Sequence, residues 1–463
     1  MITKLEINGF KTFENFVITF KPFVVIAGSN GSGKSNLFDA IRLLSSLAEK
    51  DLRTAFGEQR GTFAELFTQY AQNQRADKMQ FAVELFIDST VKDDFNKEAE
   101  LGHQRLRYEI HISRKKDRKS QIERLYIDHE VLRPIKRGND LWVKSFQLSD
   151  EWKSKKASLN YKPYINTEVK NKTKVISIRQ DGVRGGKPTP IQDLERSVLS
   201  GVNDASYPHA FAVREEMHHW KQFQLSPAKL RKPSPMLGTD FMDIEGSFLA
   251  AMLKHTEANE PGSLRSISRA IQNILPEIKE IYIDEDLARN QYILMVKSVD
   301  DRVFTSNVLS EGTLRIIALV SLMFDDRHRG LICFEEPENG IHPHRMEKIM
   351  RLLKGLSTQF QTEGEADLPL RQIIINTHSP LLMQKYFANQ FYYEGEFYLA
   401  HLDRKVDAVK KLSYKLTRMS PVIADKKINA LQELFIPPAE RTYSQYEVAR
   451  ILQAFDEEES LIS

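Results

Sequence analysis

Eight residues near the amino terminus constrain this chain more than any others. Gly28-Ser29-Asn30-Gly31-Ser32-Gly33-Lys34-Ser35 follow a short, wholly apolar run, Val24-Val25-Ile26-Ala27. They precede a segment whose apolar residues Leu37, Ala40, Ile41, Leu44 and Leu47 recur at helical spacing. A buried strand, a glycine-rich loop and an amphipathic helix in that order define a P-loop and predict an α/β fold. The glycines let the backbone curl so that its N–H groups converge on phosphate oxygens, and the helix presents its positive end to the same anion. Lys34 is placed to reach the β- and γ-phosphates of a nucleotide, and the Ser35 hydroxyl to hold Mg²⁺. ATP with Mg²⁺ is the expected ligand.

Three later segments fit the same chemistry. Leu331-Ile332-Cys333-Phe334 reads as a buried strand with two carboxylates at its end, Glu335 and Glu336. Beside a triphosphate an anion is tolerated when a cation stands between, so Glu335 is assigned to Mg²⁺ and Glu336 to the attacking water. Leu309-Ser310-Glu311-Gly312-Thr313 opens an apolar helix expected over residues 314–324. Ser310, the Gly312 N–H and the helix end can bind an anion, or Ser310 can simply cap the helix. Ile373-Ile374-Ile375-Asn376-Thr377-His378-Ser379-Pro380 is another apolar strand, with polar residues at the carboxyl end where ligands bind in open α/β sheets. There His378 is a candidate to bond the γ-phosphate and sense its loss.

The chain has 463 residues, enough for two or three domains. It contains no apolar run near 18 residues, and Met1-Ile2-Thr3-Lys4-Leu5-Glu6 does not resemble a secretion signal. The single cysteine, Cys333, excludes an internal disulfide. A cytoplasmic protein without a membrane span is expected. Patterning divides the chain into 1–90 and 206–404, both α/β, an inserted basic α+β subdomain at 91–205, and a helical tail at 405–463 with an amphipathic segment at 443–455. Net charge is only +3, yet residues 101–176 hold 19 Lys/Arg against 9 Asp/Glu. That excess is a solvated face or a contact for a phosphate backbone, with Lys115, Lys116, Lys153, Lys155 and Lys156 as the candidate DNA contacts.

Taken in order, the P-loop, Leu309-Ser310-Glu311-Gly312-Thr313, Glu335-Glu336-Pro337-Glu338-Asn339-Gly340-Ile341-His342-Pro343 and Asn376-Thr377-His378-Ser379-Pro380 resemble the ABC-type ATPases of the RecF/SMC/OLD branch. The opening Asn8-Gly9-Phe10-Lys11-Thr12-Phe13 and the Asn36 that closes the P-loop add to the likeness. The resemblance implies an ABC-type P-loop ATPase head, a mixed sheet with helices on both faces, and places Lys11, Thr12 and Asn36 near the nucleotide. It makes Ser310, Glu311, Gly312 and Thr313 a signature donated in trans, so that two chains pair head to tail, as a homodimer or higher oligomer, around two ATP molecules. It makes residues 338–342 the D-loop and leaves the Q-loop glutamine open between Gln59 and Gln69. Long coiled coils are missing, and no Asp-x-Asp pair of a Toprim nuclease follows Pro380, where Glu394 reads as a hairpin residue. What remains resembles stand-alone ATPase subunits of bacterial anti-phage systems of the Septu, PARIS or abortive-infection type. These work with a separate HNH or Toprim nuclease, so no nuclease activity is expected of this chain itself. A RecF-like repair ATPase acting at DNA ends or gaps, and a structural switch that holds ATP with little turnover, are the alternatives.

Overall fold

The computed structural model describes residues 1–116, 122–146, 148–149, 151–152, 159–170, 172–180, 187–325, 327–362, 364, 368–383, 396–407, 412–423, 443–444, 447–448 and 451. Among its elements, in chain order, are β1 (Ile2–Asn8), β2 (Phe16–Thr19), β3 (Phe23–Ala27), α1 (Lys34–Leu47), β4 (Lys78–Phe86), β5 (Arg105–Lys116), β6 (Glu123–Pro134), β7 (Ile165–Lys170), β8 (Thr173–Ile178), β9 (Lys187–Pro190) and β10 (Lys221–Phe223). There follow α2 (Ser263–Ile274), β11 (Ile278–Asp286), β12 (Gln291–Ser298), β13 (Val303–Thr305), α3 (Glu311–Ser321), β14 (Gly330–Glu335), β15 (Arg371–Thr377), β16 (Phe397–Asp407) and β17 (Leu412–Ile423).

The chain forms two compact units. The first comprises Met1–Trp220, Thr358–Gln372 and the described residues within Glu394–Val448. Its largest feature is an eight-stranded sheet in the order β9-β8-β7-β6-β5-β4-β1-β2, with every neighbouring pair antiparallel. Burial alternates along β1 and along most of β5, as expected where one face of a sheet is covered and the other is wet. Phe86, Trp142, Trp152, Phe360, Leu370 and Met1 make an aromatic cluster in this unit. β3 is different, with all five residues buried. It pairs in parallel with β16, Ala27 opposite Leu399, and β16 turns back antiparallel into β17.

The second unit takes Lys221–Ser357 and the segment from Ile373. In it, β11 and β12 form an antiparallel hairpin flanked by β13. The α2 helix docks on that hairpin through a bond from the Ile281 N–H to the Ser268 hydroxyl, 3.0 Å. β10 runs parallel to β14, Phe223 opposite Phe334, and β15 lies on the other side of β14. Among the described residues no helix is long and apolar enough to cross a membrane.

The break placed at residues 90 and 91 falls inside one sheet. β4, on one side of it, pairs with β5, on the other, from Lys78 opposite Ser113 to Phe86 opposite Arg105. The alternating pattern of the basic stretch is that of strands extending the amino-terminal sheet, with a short helix at Leu141–Lys144 beside them. The expected helical tail from residue 405 begins instead as β16 and β17, with a further short strand at Tyr443–Ser444. Leu412 to Ile423 alternates polar and apolar residues, and a strand partner is at hand in β16. Most of the amphipathic segment at 443–455, and Glu394, lie outside the described residues.

Candidate functional site

In the first unit, the loop after β3 is shaped by its glycines. Gly31 and Gly33 have φ of 76° and 93°, in the left-handed region that costs other residues energy. A Cβ on Gly28 would stand 2.4 Å from the Ala400 carbonyl oxygen, and one on Gly33 would stand 1.9 Å from the Thr417 hydroxyl. These two positions admit glycine alone for steric reasons. α1 begins at Lys34 with no side-chain cap and no acidic residue in its first turn, so its terminal N–H groups are open to an anion. The Lys34 ammonium is buried and donates to the carbonyls of Gly28, 2.6 Å, and Ser29, 2.9 Å. Ser32 is buried, and its hydroxyl oxygen has no hydrogen-bond partner among the described residues. A buried orphan hydroxyl, a lysine folded onto its own loop and an uncapped helix start together fit a phosphate chain. Ser29 and Ser35 are half-buried and Asn30 exposed.

Around this loop, Asn36 donates from Nδ2 to the Thr12 hydroxyl at 2.9 Å. Lys11 has φ of 46° and its ammonium lies 2.6 Å from the Asp39 carboxylate. Asp39, 1% exposed, also takes Arg42 at 2.7 Å and Arg60 at 3.0 Å. One buried carboxylate thus gathers three cations on this flank of α1. Sequence reading missed Arg60; an arginine before a glycine in a polar stretch carries no signal by itself.

In the second unit, β14 is buried through Phe334 and half-buried at Glu335. Glu336, which follows it, has φ of 47°, a strained conformation for a residue with a side chain. Its N–H bonds to the Asn376 carbonyl at 2.8 Å. Its carboxylate accepts from Asn339 at 2.7 Å and meets His378 Nδ1 at 2.6 Å. The second strand, β15, thus supplies both the backbone anchor and the imidazole that fix this carboxylate. The structure brings Glu336 and His378 together, as a base and an orienting group are arranged in acid–base sites. Beside them, the Thr377 hydroxyl donates to Glu338. Glu338 is buried, and burial lifts its carboxyl above the usual range even against that bond.

Glu335 accepts a 2.5 Å bond from the Gln222 amide. Gln222 lies on β10, opposite Cys333 in a parallel register. Gln59 and Gln69 are the two candidates for the Q-loop glutamine that the resemblance leaves open. Gln59 donates to the Ala55 carbonyl at 3.4 Å, and Gln69 is exposed on a short strand. Gln222 is the residue that meets the carboxylate. Its strand is three residues long, too short for periodicity to reveal.

At α3, the Ser310 hydroxyl accepts from the Thr313 N–H at 3.2 Å and shares a 2.8 Å bond with the Thr313 hydroxyl. The capping role is therefore real. Ser310 and Glu311 are nevertheless exposed, while Gly312 is buried. A Cβ on Gly312 would lie 2.3 Å from the Gly340 carbonyl oxygen, so the start of α3 and the 338–342 turn pack backbone to backbone.

Of the five candidate DNA contacts, Lys115 is paired with Asp128 at 2.7 Å and Lys116 is exposed at the end of β5. Lys153, Lys155 and Lys156 lie outside the described residues. Several other cations of the basic stretch are paired across the sheet, Arg107 with Glu6, Glu84 and Glu109 and Arg133 with Glu109. Burial alone would raise the Glu6 carboxyl, but the Arg107 and Lys4 cations prevail and hold it at about 2.

The all-buried β3 and the glycine loop that follows it define an α/β P-loop ATPase fold. Residues 23–384 match the family model described as "AAA domain, putative AbiEii toxin, Type IV TA system", and the chain belongs to that family. A 58-residue stretch is 50% identical to the chromosome partition protein Smc of Pyrococcus furiosus; it covers 12% of this chain and 5% of that protein. The chain thus spans about a twentieth of the length of the curated relative it matches. Solved structures with a similar outline include an Smc head bound to the C-terminal winged-helix domain of ScpA, at 13% identity and a TM-score of 0.47, covering 90% of this chain and 97% of that one. Another is an Smc head with a coiled coil and joint from Pyrococcus yayanosii, at 11% identity and a TM-score of 0.43, covering 98% and 99%.

Proposed function

We propose that this protein binds and hydrolyses ATP, and that it does so as the regulatory subunit of a two-component defence system whose effector nuclease is a separate protein. The observation that carries hydrolysis is the Glu336 carboxylate, held by both His378 and Asn339 on a strained backbone. A carboxylate fixed in two directions is suited to aligning a water molecule, and strain at one residue is a cost that persists where geometry matters more than stability. In this reading the loop N–H groups, Lys34 and the start of α1 hold the phosphates. In the first unit the Ser35 hydroxyl would be offered to Mg²⁺, and in the second the Glu335 carboxylate, which Gln222 fixes. When bound, Mg²⁺ supplies charge neutralisation to the triphosphate. Glu336 orients the attacking water and takes up its proton, and His378 stabilises the side chain that does so.

The exposed Ser310 and Glu311 support pairing of two copies, each lending its signature to the other's nucleotide. The family description, which names a toxin–antitoxin system, supports action beside a second protein. The short match to a chromosome partition protein supports a second reading, an ATPase that works directly on DNA. Substituting Glu336→Gln tests the core of the proposal. ATP should still bind, and turnover should fall at least about tenfold, on the order of 1.4 kcal/mol in barrier. Lys34→Ala should abolish binding. Parent-like turnover in Glu336→Gln would remove that residue from the reaction.

A further inference from the structure

We propose that Thr417, on β17, is a positioning residue that holds the phosphate-binding loop in its nucleotide-accepting shape. β17 lies beyond the span of the family match. The inference rests on the ATP-binding reading above.

Thr417 is fully buried, and its hydroxyl donates to the Ser32 carbonyl at 3.1 Å. A hydroxyl has one proton. The 2.6 Å bond between the Thr417 and Thr12 hydroxyls must therefore be donated by Thr12. Thr12 in turn accepts from Asn36 Nδ2 at 2.9 Å. The result is a chain with one direction, from Asn36 on α1, through Thr12 and Thr417, back to the loop carbonyl of Ser32. The Thr417 N–H bonds to the Thr12 carbonyl at 2.9 Å and fixes the register of the two segments.

This chain controls the loop because of peptide geometry. In a trans peptide the carbonyl and the following N–H point in opposite directions. Turning the Ser32 carbonyl toward β17 thus aims the Gly33 N–H away from it. Gly33 has no room to adjust, since a Cβ there would meet the Thr417 hydroxyl at 1.9 Å. At the other end of the loop the neighbouring strand β16 closes on Gly28 through the Ala400 carbonyl. The β16–β17 hairpin is thus a plate against both ends of the loop, and Thr417 is its polar contact there.

Thr417→Val keeps the side-chain shape and removes the hydroxyl, leaving the Ser32 carbonyl and the Thr12 proton without a partner. The dissociation constant for ATP and KM should each rise about tenfold, with kcat within about twofold of the parent, because a loop less well ordered before binding weakens ground and transition states alike. Thr417→Ser should restore ATP affinity to within about twofold. A role confined to general stability would lower the melting temperature and the active fraction, hence kcat, and leave KM alone; that result overturns the proposal. Should Thr417→Val yield too little folded protein, Thr12→Val breaks the same chain one bond away and should weaken ATP binding to the same degree, and parent-like affinity there also overturns it. Lys34→Ala is run alongside. A parent that binds ATP, a silent Lys34→Ala and a parent-like Thr417→Val sink the relay alone, whereas a parent that does not bind ATP sinks both readings.

Discussion

Gln222 and Glu335 meet at 2.5 Å, and that contact has a consequence for metal dependence. A carboxylate that accepts a strong bond is held in a single rotamer, and its second oxygen is presented in a fixed direction. Gln222→Ala should leave ATP binding nearly intact. Turnover at limiting Mg²⁺ should fall by about three- to tenfold, with partial recovery at high Mg²⁺, since the lost contact orients the metal-holding group rather than replacing it. A Mg²⁺ titration of turnover superimposable on that of the parent would dismiss Gln222. At the same scale, Glu336 shows why His378 could not be judged alone. Its value lies in the carboxylate 2.6 Å away, 42 positions earlier in the chain.

Among the elements, β6 carries a buried carboxyl outside the nucleotide site. Glu130 accepts from the N–H groups of Val198 and Leu199 at 2.7 and 2.9 Å and from the Tyr108 hydroxyl at 3.1 Å. Burial raises its pKa, and those three bonds pull it down without matching the burial, so it stands at about 7. The folded value exceeds the ordinary glutamate value of 4.5, so the protein binds more protons here when folded than when unfolded. This contribution to stability is complete below pH 4.5 and is lost as pH rises through 7. Relative to Glu130→Gln, the parent should lose on the order of 3 kcal/mol between those limits. Urea unfolding followed at both pH values would measure it, and equal pH slopes for the two proteins would contradict it. α3 poses a different question, because Gly312 packs on the Gly340 carbonyl within its own chain. Gly312→Ala would damage that packing whatever the signature does in trans. Ser310→Arg is the cleaner probe, with Ser310→Ala as the control for the lost cap, worth about 1 kcal/mol. Mixing Lys34→Ala and Ser310→Arg chains should restore ATPase activity in half of the sites of each mixed pair. No rescue between chains shown to exchange would argue against shared sites.

At the scale of the whole molecule, charge is unevenly placed, and the pairing across the sheet decides how much of it is available. Lys115 has Asp128, and Arg107 has three carboxylates. The pair of the exposed Lys115 with Asp128 is weak, typically under about 1 kcal/mol, so a polyphosphate can compete for that lysine. Replacing Lys115, Lys116, Lys153, Lys155 and Lys156 with Gln should weaken duplex DNA binding and flatten its salt dependence, with ATP turnover in the absence of DNA unchanged. Identical binding curves at each salt concentration would show the stretch to be a solvated face.

The sequence determined the elements whose signal is local. Four apolar residues before a glycine loop give β3 and α1, and the runs before Glu335 and Asn376 give β14 and β15, because short continuous apolar runs have few other places to go. Residue type alone also named Lys34, Glu336 and His378. Tertiary structure decided everything that depends on a distant partner. It joined the basic stretch to the amino-terminal sheet, since an antiparallel pairing such as β4 with β5 is set by register and leaves no mark in either strand alone. It made strands of residues 405–407 and 412–423, at the start of the expected helical tail, since an alternating segment becomes a strand when a neighbour offers its N–H and C=O groups. It set Gln222 against Glu335, and Thr417 against Ser32, 385 residues away. A hydrogen bond depends on position in space, and separation along the chain carries no information about it until the chain has folded.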